Sequence, residues 1–377
     1  MVDKLLCGDK MSQKFNKLPE YPCKRDMWDA LAEEKRPIVV YGMGNGADKL
    51  IERFDKYGIK ISDFFASDGF VRGHLFHGMR VKSFSEIREQ YDDFVIVLSF
   101  ASNRREVIDM LYDVSDRYDM YVPDMPVAGT EEYFDRDFYN SNYNDICAAY
   151  RMLADDFSKH IFASVVSYKL SGKMEYLRAA FTSRDDQYAY LPCQKIENII
   201  DAGAYNGDTL KEAKTYFSNL KNAVAIEPDN RNFKKLTKYC EAETDISVTT
   251  VNAAAWCDNC DGTFNNSGNR NSSVSSTASY EHRSDSINLI TVDSVCGGKV
   301  DYIKYDVEGA EHEALIGSHN TILQNKPALL VSAYHRSKDI FSIPIYLKDN
   351  YPFYAIYLSR LECIPAWELN VIAIPKE

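Results

Sequence analysis

Asp201, Gly203, Gly207 and Glu227 are the residues whose types and spacing ask for a ligand. The segment IIDAGAYNGDTL (199–210) runs apolar, turns on Asp201, then places two glycines four positions apart. A tight turn needs one glycine at most, so two beside an acid imply that something other than protein approaches the backbone. Gly203 would permit close approach. Gly207 would open a helix whose free N–H groups favour an anionic group. Asp201 would repel a pyrophosphate and draw an ammonium, so a ligand carrying both a carboxylate and an amino group, an amino acid, suits the turn. Glu227 ends the next apolar run, NAVAIEPD, 24 positions after Gly203. An acid there is placed to hold the hydroxyls of a ribose. An amino-acid end plus a ribose end describes S-adenosylmethionine. The rival ligand is a dinucleotide, whose G-x-G-x-x-G fingerprint this turn lacks, and the bland reading is a glycine turn with no ligand.

A second turn, GMGNGA, lies earlier in the chain. Gly42, Gly44 and Ala47 satisfy G-x-G-x-x-A after an apolar run, and Asp68 ends the next one. This fits a nucleotide turn and a scaffolding role equally well. It keeps open two alternatives, a nucleotide-sugar binding or assembly protein and an NAD-dependent sugar oxidoreductase.

The elements that must position these residues follow from periodicity. Residues 1–35 read as a polar lead-in with at most one short helix near Trp28. Residues 36–126 read as a small Rossmann-like α/β domain: strand, glycine turn, helix, strand, then a helix around Ile87 and a strand at 93–100, closing near Pro123 and Pro126. Residues 127–195 read as a helical bridge, with Ile146, Tyr150, Leu153, Phe157, Ile161, Val165 and Tyr168 stepping along one helix that stops near Gly172. Residues 196–377 return to alternation. Strands at about 197–202, 222–227, 246–252, 301–306, 328–334, 353–358 and 370–374 predict a seven-stranded, mostly parallel sheet of the α/β, Rossmann-like type. The polar stretch 264–285 is expected as a surface loop, with a lid or binding loop as the sharper alternative.

IIDAGAYNGDT, AIEPDNRNFKKL, VNAAAW, RNSSVSS, YIKYDVEGAEHEALIGS and SAYHR occur in the order found in FkbM-type methyltransferases, and over residues 185–377 the chain resembles that family. The resemblance implies a class I S-adenosylmethionine-dependent fold and O-methylation of hydroxyls on sugars or secondary metabolites. That suggests surface-polysaccharide or glycolipid assembly with a small-molecule or glycan acceptor. By the same resemblance Asp201, Gly203, Ala204 and Gly207 would cradle the methionine end, Glu227 the ribose, and Ala254, Ala255 and Trp256 the adenine. Asp306 would stand beside the methyl group. Glu308, Glu311, Ser272 and Ser273 are candidate substrate or metal contacts, although acids in a first helical turn also serve the helix dipole. His335, ending ALLVSAYH, is the candidate base because imidazole titrates near neutrality. A divalent metal such as Mg, held by Asp306, Glu308 or His335, could do the same work.

Bulk composition narrows the field. Of 377 residues, 45% are hydrophobic and 27% charged, which excludes wholesale disorder. A net charge of -12 argues against a general nucleic-acid binder. No apolar run is long enough for a membrane span, the first residues lack a secretory pattern, and nine scattered cysteines suit reduced thiols, so a cytoplasmic protein is expected. Cys257 and Cys260 form a lone CxxC and read as two unrelated thiols.

Overall fold

A computed structural model of the protein describes residues 16–71, 73, 75–125, 127, 132–265, 273–275 and 284–376. The lead-in carries the expected short helix, Met27–Ala32, capped by Asp26. The N-terminal sheet is parallel throughout: β1 (Ile38–Tyr41), β2 (Asp63–Ala66), β3 (Lys82–Ser83), β4 (Val95–Leu98) and β5 (Met120–Tyr121), in the order β3-β2-β1-β4-β5. Its inner strands β1 and β4 are short, apolar and wholly buried because both faces are covered, as parallel sheets require.

The C-terminal sheet has seven strands: β6 (Asn198–Ala202), β7 (Asn222–Ile226), β8 (Ser247–Val251), β9 (Tyr302–Tyr305), β10 (Ala328–Ser332), β11 (Tyr354–Arg360) and β12 (Leu369–Pro375). The order is β8-β7-β6-β9-β10-β12-β11, with β12 antiparallel to both neighbours. This is the expected seven-stranded, Rossmann-like α/β sheet. The winding reverses between β6 and β9, so their carboxyl ends open the crevice where such sheets bind ligands.

Two sequence expectations give way to tertiary pairing. The single bridge helix is two, Tyr143–Met152 and Asp156–Ser171. The break comes where extended Leu153 forms a bridge to Ile356 and the Ala154 N–H donates to the Ile356 carbonyl at 2.8 Å. Asp155 then caps the second helix through the Ser158 N–H, and Gly172 ends it in the left-handed region. Part of the expected loop at 264–285 is sheet: Cys260–Asn265, Ser273–Ser275 and Ser284–Ile290 join Ala254–Ala255 in four strands. The rest of that stretch, Ser272 included, lies outside the described residues.

One hydrophobic core runs through the molecule. Val39, Tyr41, Ile96 and Leu98 of the first sheet, Ile161 and Val165 of the bridge, and Ile303, Val331 and Val371 of the second sheet belong to the same buried cluster. The domains named from sequence share this core, while a second cluster around Val40, Leu50 and Phe64 belongs to the N-terminal sheet and a third around Leu210, Ala225 and Leu236 to the C-terminal one.

Candidate active site

Asp201 and Lys304 face each other in register across β6 and β9. Both Asp201 oxygens are buried and take no hydrogen bond among the described residues, and Lys304 Nζ lies 3.9 Å from Oδ1. The same ammonium is 3.2 Å from Asp306 Oδ2. The positive charge that Asp201 was expected to draw from a ligand is thus supplied by the chain. Burial pushes the Asp201 carboxyl up to about 6 against the pull of Lys304. Burial would likewise raise Asp306, but Lys304, His335 and the Ser332 hydroxyl hold it down at about 2. Ser332 Oγ donates to Asp306 Oδ1 at 3.0 Å and the Tyr334 hydroxyl at 3.2 Å.

The glycine turn after β6 is shaped by this neighbour. Gly203 sits at φ +90, and a Cβ there would lie 1.9 Å from the Asp306 carbonyl oxygen. The close approach that the glycine permits is therefore to the β9 turn. Gly207, also at φ +90, stands before the helix Asp208–Tyr216, and a Cβ on it would meet the Tyr239 ring at 2.6 Å. Glu227 is buried past β7, where its two oxygens accept the Tyr205 N–H at 2.9 Å and the Asp229 N–H at 2.8 Å. Burial outweighs these donors and lifts its carboxyl to about 7.

His335, 1% exposed, is ringed by acids. Its Nδ1 is 2.9 Å from Glu311 Oε1, and its Nε2 is 3.4 Å from Glu308 Oε2 and 3.7 Å from Asp306 Oδ1. Burial would depress the imidazole, but Glu311 first, then Glu308 and Asp306, raise it to about 10. The same acids that mark the site favour the protonated ring, the form opposite to the one a base starts from. Glu311 is itself tied to the β9 turn by the Val307 N–H at 3.0 Å, and Glu308 holds a left-handed φ of +54.

A single cavity of about 800 Å³ joins these groups. Gly203, Glu227, Ala254 and Ala255 line one part, and Lys304, Asp306, Glu308 and His335 another. Other predicted residues lie behind the wall. Ala204 is core, Glu311 backs His335, and Trp256 packs on Ile287 and Leu289. Trp256 does not line this cavity. The backbone of Ser273 lies in a strand of the small sheet. Lys304, Tyr334 and Trp367 escaped the sequence reading. Lys304 left one signal, a lysine inside the otherwise buried strand YIKY.

The other glycine turn is different. A Cβ on Gly46 would lie 1.9 Å from the Ser99 carbonyl oxygen, and one on Gly42 2.7 Å from Ser99 Oγ. Ala47 is core, Gly44 precedes the helix Asn45–Tyr57, and exposed Asp68 accepts the Ser85 hydroxyl at 2.6 Å. Gly42 and Gly46 admit the loop after β4, while a Cβ on Gly44 would meet nothing within 4 Å.

The fold is that of a class I methyltransferase. Residues 201–351 match the Methyltransferase FkbM domain, and this part of the chain is a methyltransferase domain of the FkbM type. Among solved structures, an FkbM methyltransferase from Methylobacillus flagellatus KT superposes with a TM-score of 0.66 at 19% identity, over 97% of this chain and 96% of that one. At that identity the likeness shows the fold. A precorrin-6y C5,15-methyltransferase from Geobacter metallireducens GS-15 (TM-score 0.35, 12% identity, 52% of this chain and 91% of that one) is too distant to bear on function. The same holds for an Aeropyrum pernix fibrillarin in complex with S-adenosyl-L-methionine (TM-score 0.32, 12% identity, 49% and 69%). No curated protein matches the sequence.

Proposed function

We propose that the domain transfers a methyl group from S-adenosylmethionine to a hydroxyl of a sugar or glycan acceptor, in surface-polysaccharide or glycolipid assembly. The observation that carries this reading is the shared cavity: the Gly203–Glu227 end and the Asp306–His335 end open into one space. Its volume is within the usual range for small-molecule sites, roughly 300–1,000 Å³. Glu227 fits a ribose because two backbone N–H groups fix its carboxylate at the cavity wall. S-adenosylmethionine supplies, when bound, an electrophilic methyl group on a sulfonium.

The chain's own residues then have distinct tasks. Asp306, held ionised by Lys304, accepts the hydrogen bond of the acceptor hydroxyl and aims its oxygen; positioning of this kind supplies much of the rate. Once alkylated, that oxygen is a protonated ether, a far stronger acid than any carboxylic acid. Even a carboxylate with a pKa near 2 can take its proton. His335 serves as the cation that orients Asp306 and Glu308. Asp306, Glu311 and His335 each offer one ligand atom within 4.8 Å of the others, so this trio could hold a divalent metal such as Mg if the imidazole gave up its proton and Lys304 released Asp306. The scattered thiols support a cytoplasmic location, and among the described residues no helix is long and apolar enough to cross a membrane.

The test is turnover of S-adenosylmethionine to S-adenosylhomocysteine by the full chain with a panel of sugar acceptors. Asp306→Asn should lower kcat by about 10²–10⁴-fold with cofactor affinity near wild type, the usual worth of a proton acceptor. Loss of turnover on adding chelator, restored by a divalent ion, would assign Asp306, Glu311 and His335 to a metal. Cofactor binding with no methylation of any sugar would instead leave the domain a binding module.

A further inference from the structure

The loop between β11 and β12 and the loop after β4 form one structure, although more than 250 residues separate them. Ser102 and Ile364 exchange both backbone hydrogen bonds, N–H to carbonyl at 2.8 and 2.9 Å. Arg105 Nη1 binds Glu362 at 2.7 Å. From beneath, wholly buried Arg360 donates to the carbonyls of Leu177, Cys363 and Pro365. The clamp therefore holds residues 361–368 against the N-terminal domain. Its inner surface faces the cavity. Trp367 and Glu368 line it from the C-terminal side, and Asn103, one residue past the clamp, lines it from the N-terminal domain. Trp367 Nε1 is buried and meets no hydrogen-bond acceptor among the described residues, an arrangement that leaves an indole donor for a ligand.

We infer that the N-terminal domain completes the acceptor site: Asn103, Trp367 and Glu368 form a wall that binds the part of an uncharged sugar lying beyond the methylated hydroxyl. This rests on the sugar-acceptor reading and adds what selects the acceptor. An indole face beside an amide and a carboxylate offers apolar area and both hydrogen-bond polarities to a polyhydroxylated ring. The charges speak against a nucleoside diphosphate at this wall, since Glu368 stands in it and Glu308 beside it, and both would repel phosphate. Of the basic lining residues, Arg184 pairs with Glu212 and Lys304 with Asp306, while Arg231 and Lys235 lie on the helix Asn230–Ala242, which follows Glu227 at the cofactor end. The small domain's carboxyl edge, the usual nucleotide site of such sheets, is spent on this clamp: Ser99, whose carbonyl closes off Gly46, begins the loop that carries Ser102 and Asn103.

The experiment uses the full chain with S-adenosylhomocysteine bound, and reads sugar binding by saturation-transfer NMR alongside methyl transfer. The probes are methyl glycosides of common hexoses and deoxyhexoses and their uridine-diphosphate counterparts. At least one methyl glycoside should bind more tightly than its nucleotide counterpart. Asn103→Ala, at an exposed position, and Trp367→Phe should each weaken it at least about tenfold, the scale of one lost hydrogen bond to a substrate. Affinity for S-adenosylhomocysteine should stay within about twofold, and KM should rise more than kcat falls. Unchanged sugar affinity in Asn103→Ala, preference for the nucleotide sugars, or no sugar binding by the wild type would overturn the inference. Wall-dependent sugar binding without any methyl transfer would support it while removing the catalytic reading.

Discussion

At the scale of single residues, burial sets the chemistry of Glu227 and His335 in opposite ways. Glu227 has its carboxyl lifted to about 7, and its ionised form is the better acceptor for ribose hydroxyls. Cofactor affinity should therefore rise with pH through about 7, with up to one proton released on binding. Calorimetry in buffers of different ionisation enthalpy counts that proton, and Glu227→Gln should flatten the profile and weaken binding by about 1.5–3 kcal/mol. A profile unchanged by the substitution would remove Glu227 from the ribose. His335 gains partners on folding, and its folded pKa of about 10 stands above the unfolded 6.5. Its stabilisation is complete below about 6.5 and fades as pH rises towards 10. His335→Ala leaves buried Glu311 uncompensated, which should cost about 3–5 kcal/mol at pH 7 and less at pH 10, read by urea denaturation. A cost that grows with pH would contradict the ion-pair assignment.

At the scale of elements, the site depends on two backbone turns in van der Waals contact. Gly203→Ala would require a left-handed Cβ and push the Asp306 carbonyl away. We expect a loss of at least about 2 kcal/mol in stability and a lower kcat, because the Asp306 side chain moves with its backbone. Gly46→Ala meets the Ser99 carbonyl at the same 1.9 Å distance. It should destabilise the protein to a similar degree while leaving cofactor affinity unchanged, since Gly46 lies in the small domain away from Gly203 and Glu227. Equal damage to cofactor binding from both changes would mean that the two turns are not separate devices.

At the scale of the whole molecule, the shared core decides how the chain unfolds. Removing residues 1–126 would strip Val39, Tyr41, Ile96 and Leu98 from the cluster that also holds Ile161 and Val331. A chain beginning near residue 127 is therefore expected to aggregate or to melt well below the full protein, although the motifs assigned to the cofactor all follow residue 195. Calorimetry of the intact chain should show one cooperative transition, and two well-separated transitions would show that each sheet unfolds separately.

Sequence alone determined the seven strands of the second sheet, their helices, the small parallel domain before them and the acids at the strand ends. Those follow from local rules, because a buried parallel strand must be apolar, must end where its backbone meets the crevice, and leaves its glycines and carboxylates at fixed offsets. Tertiary structure decided what those residues touch. The lysine opposite Asp201 depends on the register of two strands about a hundred residues apart, and no local period encodes register. The proton affinity of His335 depends on Glu308 and Glu311 arriving from another strand turn, and no local pattern shows them beside it. That the Gly203 turn both lines the cavity and packs its backbone on Asp306 is likewise set only when the two strands are paired. Strand ends can be read from hydropathy; the charge balance between them exists only once the sheet has brought them within about 4 Å, where Coulomb energy in a low-dielectric interior becomes large.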